Sequence, residues 1–536
     1  MGSQAPCINL YGRLLPGITN VTDRARYYSF YPWFFWAYEK EFQTINWNEV
    51  VDRFRKADCL FTLIAARHAN QTDRDDENHG IAMIGRNTLV KALSELENGK
   101  PLFLSTYATR ESDNPNRYFK NKLGGLGQYY IGTFKDLGLL DGNSKTGVQY
   151  TRQRAQEIAE AVDSSIERKL FFDVIKNDEV STDALDALIS FCPCQLLQNP
   201  AEHSSLVDLF FDRKNIYDSD GLQRRHTLCL LLHLINERDS ADAEKEPVLD
   251  HFVFRGAVYS GCLENDIFWN LPKKLESTRF AWAIYQKNEM LSIACQAIFW
   301  VVLRMIQESE MIYPTSDTFI EDFVKSKQVS KALGKKINIS FYDAVEATKS
   351  KIPDLRAWEN AGHECFLARQ AIEICSNQKS DLIYDEILKI ALDTLIILAA
   401  RENLSSNPYG SFEFPENYFS IYPINLYSFK YNITNFWRTL SLQELLGWLA
   451  HKWGIETHLK VALRKLRRDK LNTFKIRPTE EGLKVTEVPE PGYTAPRFSQ
   501  GLRILRDIRA IETGSQKNSF KLTDLGKRLM GEAIGN

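Results

Sequence analysis

The strongest constraint on the fold of this chain is a pattern that occurs twice, once near each end. In the first copy, Thr133-Phe-Lys-Asp-Leu-Gly-Leu-Leu-Asp141 leads into a Gly/Asn/Ser/Lys turn, then Val148-Gln-Tyr-Thr151 and a helical run to Val162. In the second, Ile504-Leu-Arg-Asp-Ile-Arg-Ala-Ile-Glu512 leads into Thr-Gly-Ser-Gln-Lys-Asn, then Phe520-Lys-Leu-Thr523 and a helical run through Met530. The spacings Asp136 to Thr151 and Asp507 to Thr523 differ by a single residue. Each copy reads as a helix, a tight two-stranded hairpin and a closing helix capped by Thr. A chain of 536 residues is too long for one core. The pattern suggests an N-terminal domain over 1–165, a helical middle over 166–438 and a C-terminal domain over 439–536.

The fold class that follows is mainly α. Apolar residues recur at helical spacing over 48–66, 88–96, 185–197, 222–236, 280–308, 357–375 and 381–400. Aromatic residues make up 12% of the chain, enough for large, well-filled cores. The densest run, residues 27–38, is too short to span a bilayer and is interrupted by Pro32. It is expected to be a buried helix. Asn20 is placed to cap a helix there, with Asp23 favouring its N-terminal end. Arg24 and Arg26 precede the run and are suited to pair with acids or meet phosphate. With no basic start followed by an apolar run at the N-terminus, a cytoplasmic protein without a membrane partner is expected.

Charge is placed unevenly. Residues 441–536 hold 18 Lys and Arg against 11 Asp and Glu, in a chain whose net charge is −2. Such asymmetry points to a polyanion-facing end. Ser441, with Glu444 in the capping-box position, starts a helix to Trp453; Gly454 separates it from a second over 456–471. That second helix carries Lys460, Arg464, Arg467 and Arg468 at three- and four-residue steps, so they share a broad face. Arg503, Arg506 and Arg509 recur every third residue in the next helix, and Lys517 sits at the hairpin tip. These eight residues are the candidate DNA contacts, because several cations on one face neutralise a phosphate ladder.

The remaining motifs favour quieter roles. Nine cysteines are scattered without a CxxC pair or zinc spacing. Cys192-Pro-Cys194 looks like a helix end, so buried free thiols in a reducing compartment are expected. The loop from His68 to His79 has metal-ligand residue types but no helical pair to preorganise them; it reads as an exposed loop. Gly124-Gly-Leu-Gly127 lacks the Lys-Ser/Thr of a phosphate-binding loop. His363-Glu364-Cys365 and Arg224-Arg225-His226 fall on helical patterns without a nucleophile turn. No cofactor is implied, no catalytic residue and no metal ligand is assigned, and no enzyme activity is expected.

The two end segments resemble winged-helix domains. Winged ends around a helical middle resemble the kleisin-type subunits of chromosome-structuring SMC complexes, which implies docking onto an ATPase partner. Residues 17–38 with the C-terminal module also resemble accessory proteins of bacterial anti-phage defence operons. The expectation is a non-catalytic subunit that binds or bridges double-stranded DNA in a larger prokaryotic complex. The alternatives are a kleisin-like adaptor on an SMC-type ATPase and a metal-dependent nuclease using the loop near His79.

Overall fold

The computed structural model describes residues 2–42, 46–72, 79–143, 145, 147–241, 248–377 and 383–535. It is mainly helical, with four two-stranded antiparallel sheets among those residues. The chain forms two compact units. One, the aromatic unit, comprises residues 13–248 and 496–536; the other, the long-helix unit, comprises 1–12 and 249–495. These borders differ from the three consecutive segments expected above. The physical reason is that both chain ends pack back onto distant sequence, so the stretch 439–536 is divided between the two units.

In the aromatic unit the run 27–38 is buried on every side within the helix Tyr27–Glu41. Phe30 stacks on Phe61 with centroids 4.1 Å apart, Phe34 meets Phe54 edge-on at 5.2 Å, and Trp33 packs on Phe171 at 5.4 Å. Each such ring contributes on the order of 2–3 kcal/mol through burial. The helix begins at Tyr27, not near Asn20. Residues 19–22 instead form a turn closed by Thr19 N donating to Thr22 Oγ1. Arg24 and Arg26 are buried and pair with acids: Arg24 with Asp507 at 3.1 Å, Arg26 with Glu202 at 2.8 Å.

The glycine turn serves packing. At Gly124 (φ +56) a Cβ would lie 2.0 Å from the Tyr118 hydroxyl, and Gly125 N donates to Asp58 Oδ2 at 3.2 Å. The helix expected over 185–197 stops at Ala187, followed by 3-10 segments Ile189–Phe191 and Pro193–Gln198. Pro193 explains the break: the residue before a proline is driven into extended backbone, and Cys192 adopts φ −61, ψ 136.

The repeated pattern folds twice in the same way, and both copies belong to the aromatic unit. In the first, Leu139 N donates to Phe134 O at 2.7 Å, Thr151 N to Leu139 O at 3.0 Å, and Thr151 Oγ1 to Gly138 O at 2.5 Å. The matching bonds in the second run from Ala510 N to Leu505 O (2.8 Å), Thr523 N to Ala510 O (3.2 Å) and Thr523 Oγ1 to Arg509 O (2.6 Å). Gly138 and Arg509 both take left-handed backbone, φ +64 and +57. The hairpins pair Leu140–Asn143 with Gly147–Tyr150 and Ile511–Thr513 with Phe520–Leu522. The copies diverge where the first has Arg154 and the second Gly526. Arg154 donates to Leu137 O, and its closing helix starts only at Gln156. At Gly526 a Cβ would lie 2.0 Å from Ala510 O, so glycine lets the helix Asp524–Gly535 start at once. Gly526→Ala is expected to destabilise the chain by about 1–3 kcal/mol, since backbone must shift to admit the methyl; urea unfolding of the variant measures it.

The long-helix unit is built on Lys273–Glu308, 36 residues and roughly 54 Å long. Tyr384–Ala400, Glu364–Ser376 and His251–Ser260 pack against it. Among the described residues it is the one helix long and apolar enough to cross a membrane by length and composition; 83% of its apolar window is buried in the fold. Ser441 and Glu444 form the expected capping box, Ser441 N donating to Glu444 Oε2 at 2.8 Å. Gly454 does not separate two helices. The run continues from Leu442–Trp448 through a π-helical stretch, Leu449–Glu456, into Thr457–Asp469. A Cβ at Gly454 would come 3.3 Å from the Phe299 ring, so the glycine permits close passage over the long helix.

Candidate nucleic-acid interface

The basic helix Thr457–Asp469 buries Thr457, His458, Val461 and Ala462 against the long-helix unit and turns its other residues outward. The left-handed Lys470 (φ +58) closes it, with Lys470 N donating to Leu466 O. The chain then enters a hairpin pairing Ile476–Thr479 with Gly482–Val485. Two contacts fix the hairpin. Lys475 N donates to His458 Nε2 at 2.9 Å, and Leu483 N donates to Tyr313 O at 2.8 Å. Burial pushes the His458 imidazole down to about 3, with Lys475 and Lys465 adding to the effect. It therefore stays neutral and accepts that bond at ordinary pH.

Between Thr457 and Thr486 there are nine Lys and Arg against three Asp and Glu. Lys460 pairs with Glu456 and Arg468 with Asp469, both at 2.7 Å. Arg464 is held by Ile421 O at 2.7 Å and lies over the Tyr422 ring. Among the described residues no carboxylate comes within ion-pair distance of Lys465, Arg467, Lys470, Arg477 or Lys484. Arg477 stands directly opposite Lys484 in the hairpin, both exposed. Like charges facing across strands are destabilising unless something negative sits above them. Part of the charge has a local use, since cations near a helix C-terminus offset its partial negative charge. A cavity of about 760 Å³ lies alongside, lined in part by Gln4, Tyr422, His458, Lys465 and Lys475.

The eight candidate contacts do not form one module. Lys460, Arg464, Arg467 and Arg468 belong to the long-helix unit, whereas Arg503, Arg506, Arg509 and Lys517 belong to the aromatic unit. Arg503 pairs with Asp23, Arg506 is 7% exposed, and Arg509 lies beyond the helix Phe498–Asp507, half-buried in the turn. Lys517 is exposed at the hairpin turn. The three-residue step failed as a guide because the helix is short and its inner face carries Leu502, Ile504, Leu505 and Arg506. Lys465 and Lys470, part of the same basic helical run, and Arg477 and Lys484 of the hairpin are not among those eight. The hairpin register, set by the two-residue Glu480-Glu481 turn, was the signal for the last pair.

Histidines and cysteines set aside in the sequence meet in the aromatic unit. The donor atoms of His68, His79, Cys192 and Cys194 lie within 4.8 Å of one another. Residues 73–78 of the loop between the histidines lie outside the described residues. Neither spacing is a standard metal motif, so only the fold brings the four together. The hydrogen bond with Cys192 and one from Gln195 Nε2 hold the Cys194 thiol down, and burial pushes Cys192 well up. No family model, curated protein or solved structure matches this chain.

Proposed function

We propose that the protein binds double-stranded DNA through the phosphate backbone as a non-catalytic subunit of a larger prokaryotic complex. The contact surface is the basic helix Thr457–Asp469 with the hairpin behind it. The observation that carries this reading is the set of five cations without carboxylate partners, with Arg477 set opposite Lys484. Such an arrangement stores repulsion that a polyanion relieves. On this reading the two helix–hairpin–helix copies are winged-helix modules of the aromatic unit.

The test is fluorescence anisotropy on a labelled duplex across a salt series. Five phosphate contacts give a slope of log affinity on log salt near −4.5, so affinity falls roughly 10²–10³-fold between 50 and 200 mM salt. Arg467→Glu with Arg477→Glu is expected to weaken binding at least tenfold and to reduce the slope by about 2. Wild-type affinity in that variant, or no binding at 50 mM salt, overturns the reading.

A second reading has its own support. Leu463, Leu466 and Leu471 are 40%, 37% and 57% exposed among the cations. An acidic protein surface, such as that of an SMC-type ATPase in a kleisin-like assembly, would cover them. Co-purification that persists at high salt and is lost in Leu466→Ser favours this alternative, because apolar burial is not screened.

A further inference from the structure

We propose that His68, His79, Cys192 and Cys194 form a tetrahedral zinc site that braces the aromatic unit. Three of the donor separations match those a single ion requires, and all four donor atoms lie within 4.8 Å of one another. Metal–sulfur bonds of ~2.3 Å and metal–nitrogen bonds of ~2.0–2.1 Å at tetrahedral angles place ligand atoms ~3.3–3.8 Å apart. Cys192 Sγ lies 3.5 Å from Cys194 Sγ and 3.5 Å from His79 Nδ1, and Cys194 Sγ lies 3.2 Å from His68 Nδ1. The rings of His68 and His79 meet edge-on with centroids 4.8 Å apart, so both Nδ1 atoms face the sulfurs without stacking.

The backbone prepares this geometry. Extended Cys192 followed by the Pro193 turn brings sulfurs two residues apart onto one side. Arg26 Nη1, itself held by Glu202, donates to Cys192 O at 2.5 Å and fixes the position of that residue. His68 sits near the end of the helix Trp47–Thr72, which Arg67 ties to Asp186 and Glu97 at 2.9 and 2.8 Å.

The surroundings act as an outer shell. Gln195 Nε2 donates to Cys194 Sγ at 3.4 Å, as amides do to metal-bound thiolates. Thr72 Oγ1 donates to His68 O at 2.9 Å, which leaves its lone pairs toward His79 Nε2 at 3.5 Å. That arrangement favours the proton on Nε2 and frees Nδ1 as ligand. His79 and Cys192 are 5% and 0% exposed, so an ion there would be closed off from substrate and would serve structure. Two thiolates and two imidazoles select zinc over Mg²⁺, which requires oxygen ligands. The ion would join residues 68, 79 and 192–194, three segments the sequence keeps apart.

The test uses the full chain purified without chelator. About one zinc per chain is expected by mass-spectrometric metal analysis after gel filtration. Cys192→Ser with Cys194→Ser should lower that content at least tenfold. Should that variant fail to fold, the wild type still decides: replacing zinc with Co²⁺ should produce a thiolate-to-cobalt charge-transfer band and the strong visible bands of a tetrahedral ion. The proposal is overturned if chain from zinc-supplemented culture retains no metal and takes up Co²⁺ without those bands. A cobalt spectrum unaffected by a folded Cys variant overturns it equally. Metal content is read without DNA, so it stands or falls apart from the binding reading.

Discussion

Glu202→Ala is expected to destabilise the aromatic unit by about 3–5 kcal/mol, because it strands a buried guanidinium. Glu202 is fully buried and accepts from Arg26 Nε at 3.1 Å, Arg26 Nη2 at 2.8 Å, Ser29 Oγ at 2.6 Å and Asn199 Nδ2 at 3.1 Å. Truncation leaves Arg26 charged at 2% exposure without its carboxylate, while Ser29 Oγ and Asn199 Nδ2 keep other acceptors in Arg26 O and Ala161 O. Most of the cost is that uncompensated charge, not the net worth of the pair. Replacing Arg26 and Glu202 together by Met and Leu should restore much of the loss. Urea unfolding followed by tryptophan fluorescence, with Trp33 as reporter in the same core, measures both; equal losses in the single and double variants would refute the assignment.

The second large effect is a loss of stability in acid traced to His458. Its imidazole is held down to about 3 by burial, whereas in the unfolded chain it titrates near 6.5. Below pH 6.5 the unfolded chain therefore binds the proton first, and stability falls as pH drops toward 3. The loss reaches on the order of 4–5 kcal/mol when both states are protonated. His363, fully buried and also held down by burial, adds in the same direction within the same unit. Its Nδ1 accepts from Cys365 N at 3.1 Å, a bond that protonation would remove. His458→Gln should flatten the decline between pH 6 and 4, and adding His363→Gln should flatten it further. Chemical-denaturation midpoints across that range decide it; an unchanged slope in His458→Gln would sink the prediction.

Several elements were legible because their cause is local. The run 27–38 had to be buried because so many rings in sequence leave no polar face. Ser441 and Glu444 announced their capping box, since its bonds span only three residues. The two-copy pattern was readable because Thr151 and Thr523 close their turns within the motif. Other readings failed where the cause was distant. Gly454 looked like a separator, yet its role is set by Phe299, over 150 residues away. Arg468 looked available for phosphate, but Asp469 takes it, and Arg464 is held by Ile421 and Tyr422.

By itself, the sequence determined the mainly helical class and the two copies of the helix–hairpin–helix pattern, because periodicity, caps and turns act over a few residues. Tertiary structure alone decided that residues 13–248 and 496–536 share a unit, and that His68, His79 and two cysteines converge. Those outcomes depend on burial and charge pairing between segments hundreds of residues apart, for which a linear pattern carries no signal. A cation becomes a candidate contact only when the folded chain leaves it without a carboxylate, as it does for Arg467 and Arg477 but not for Arg503.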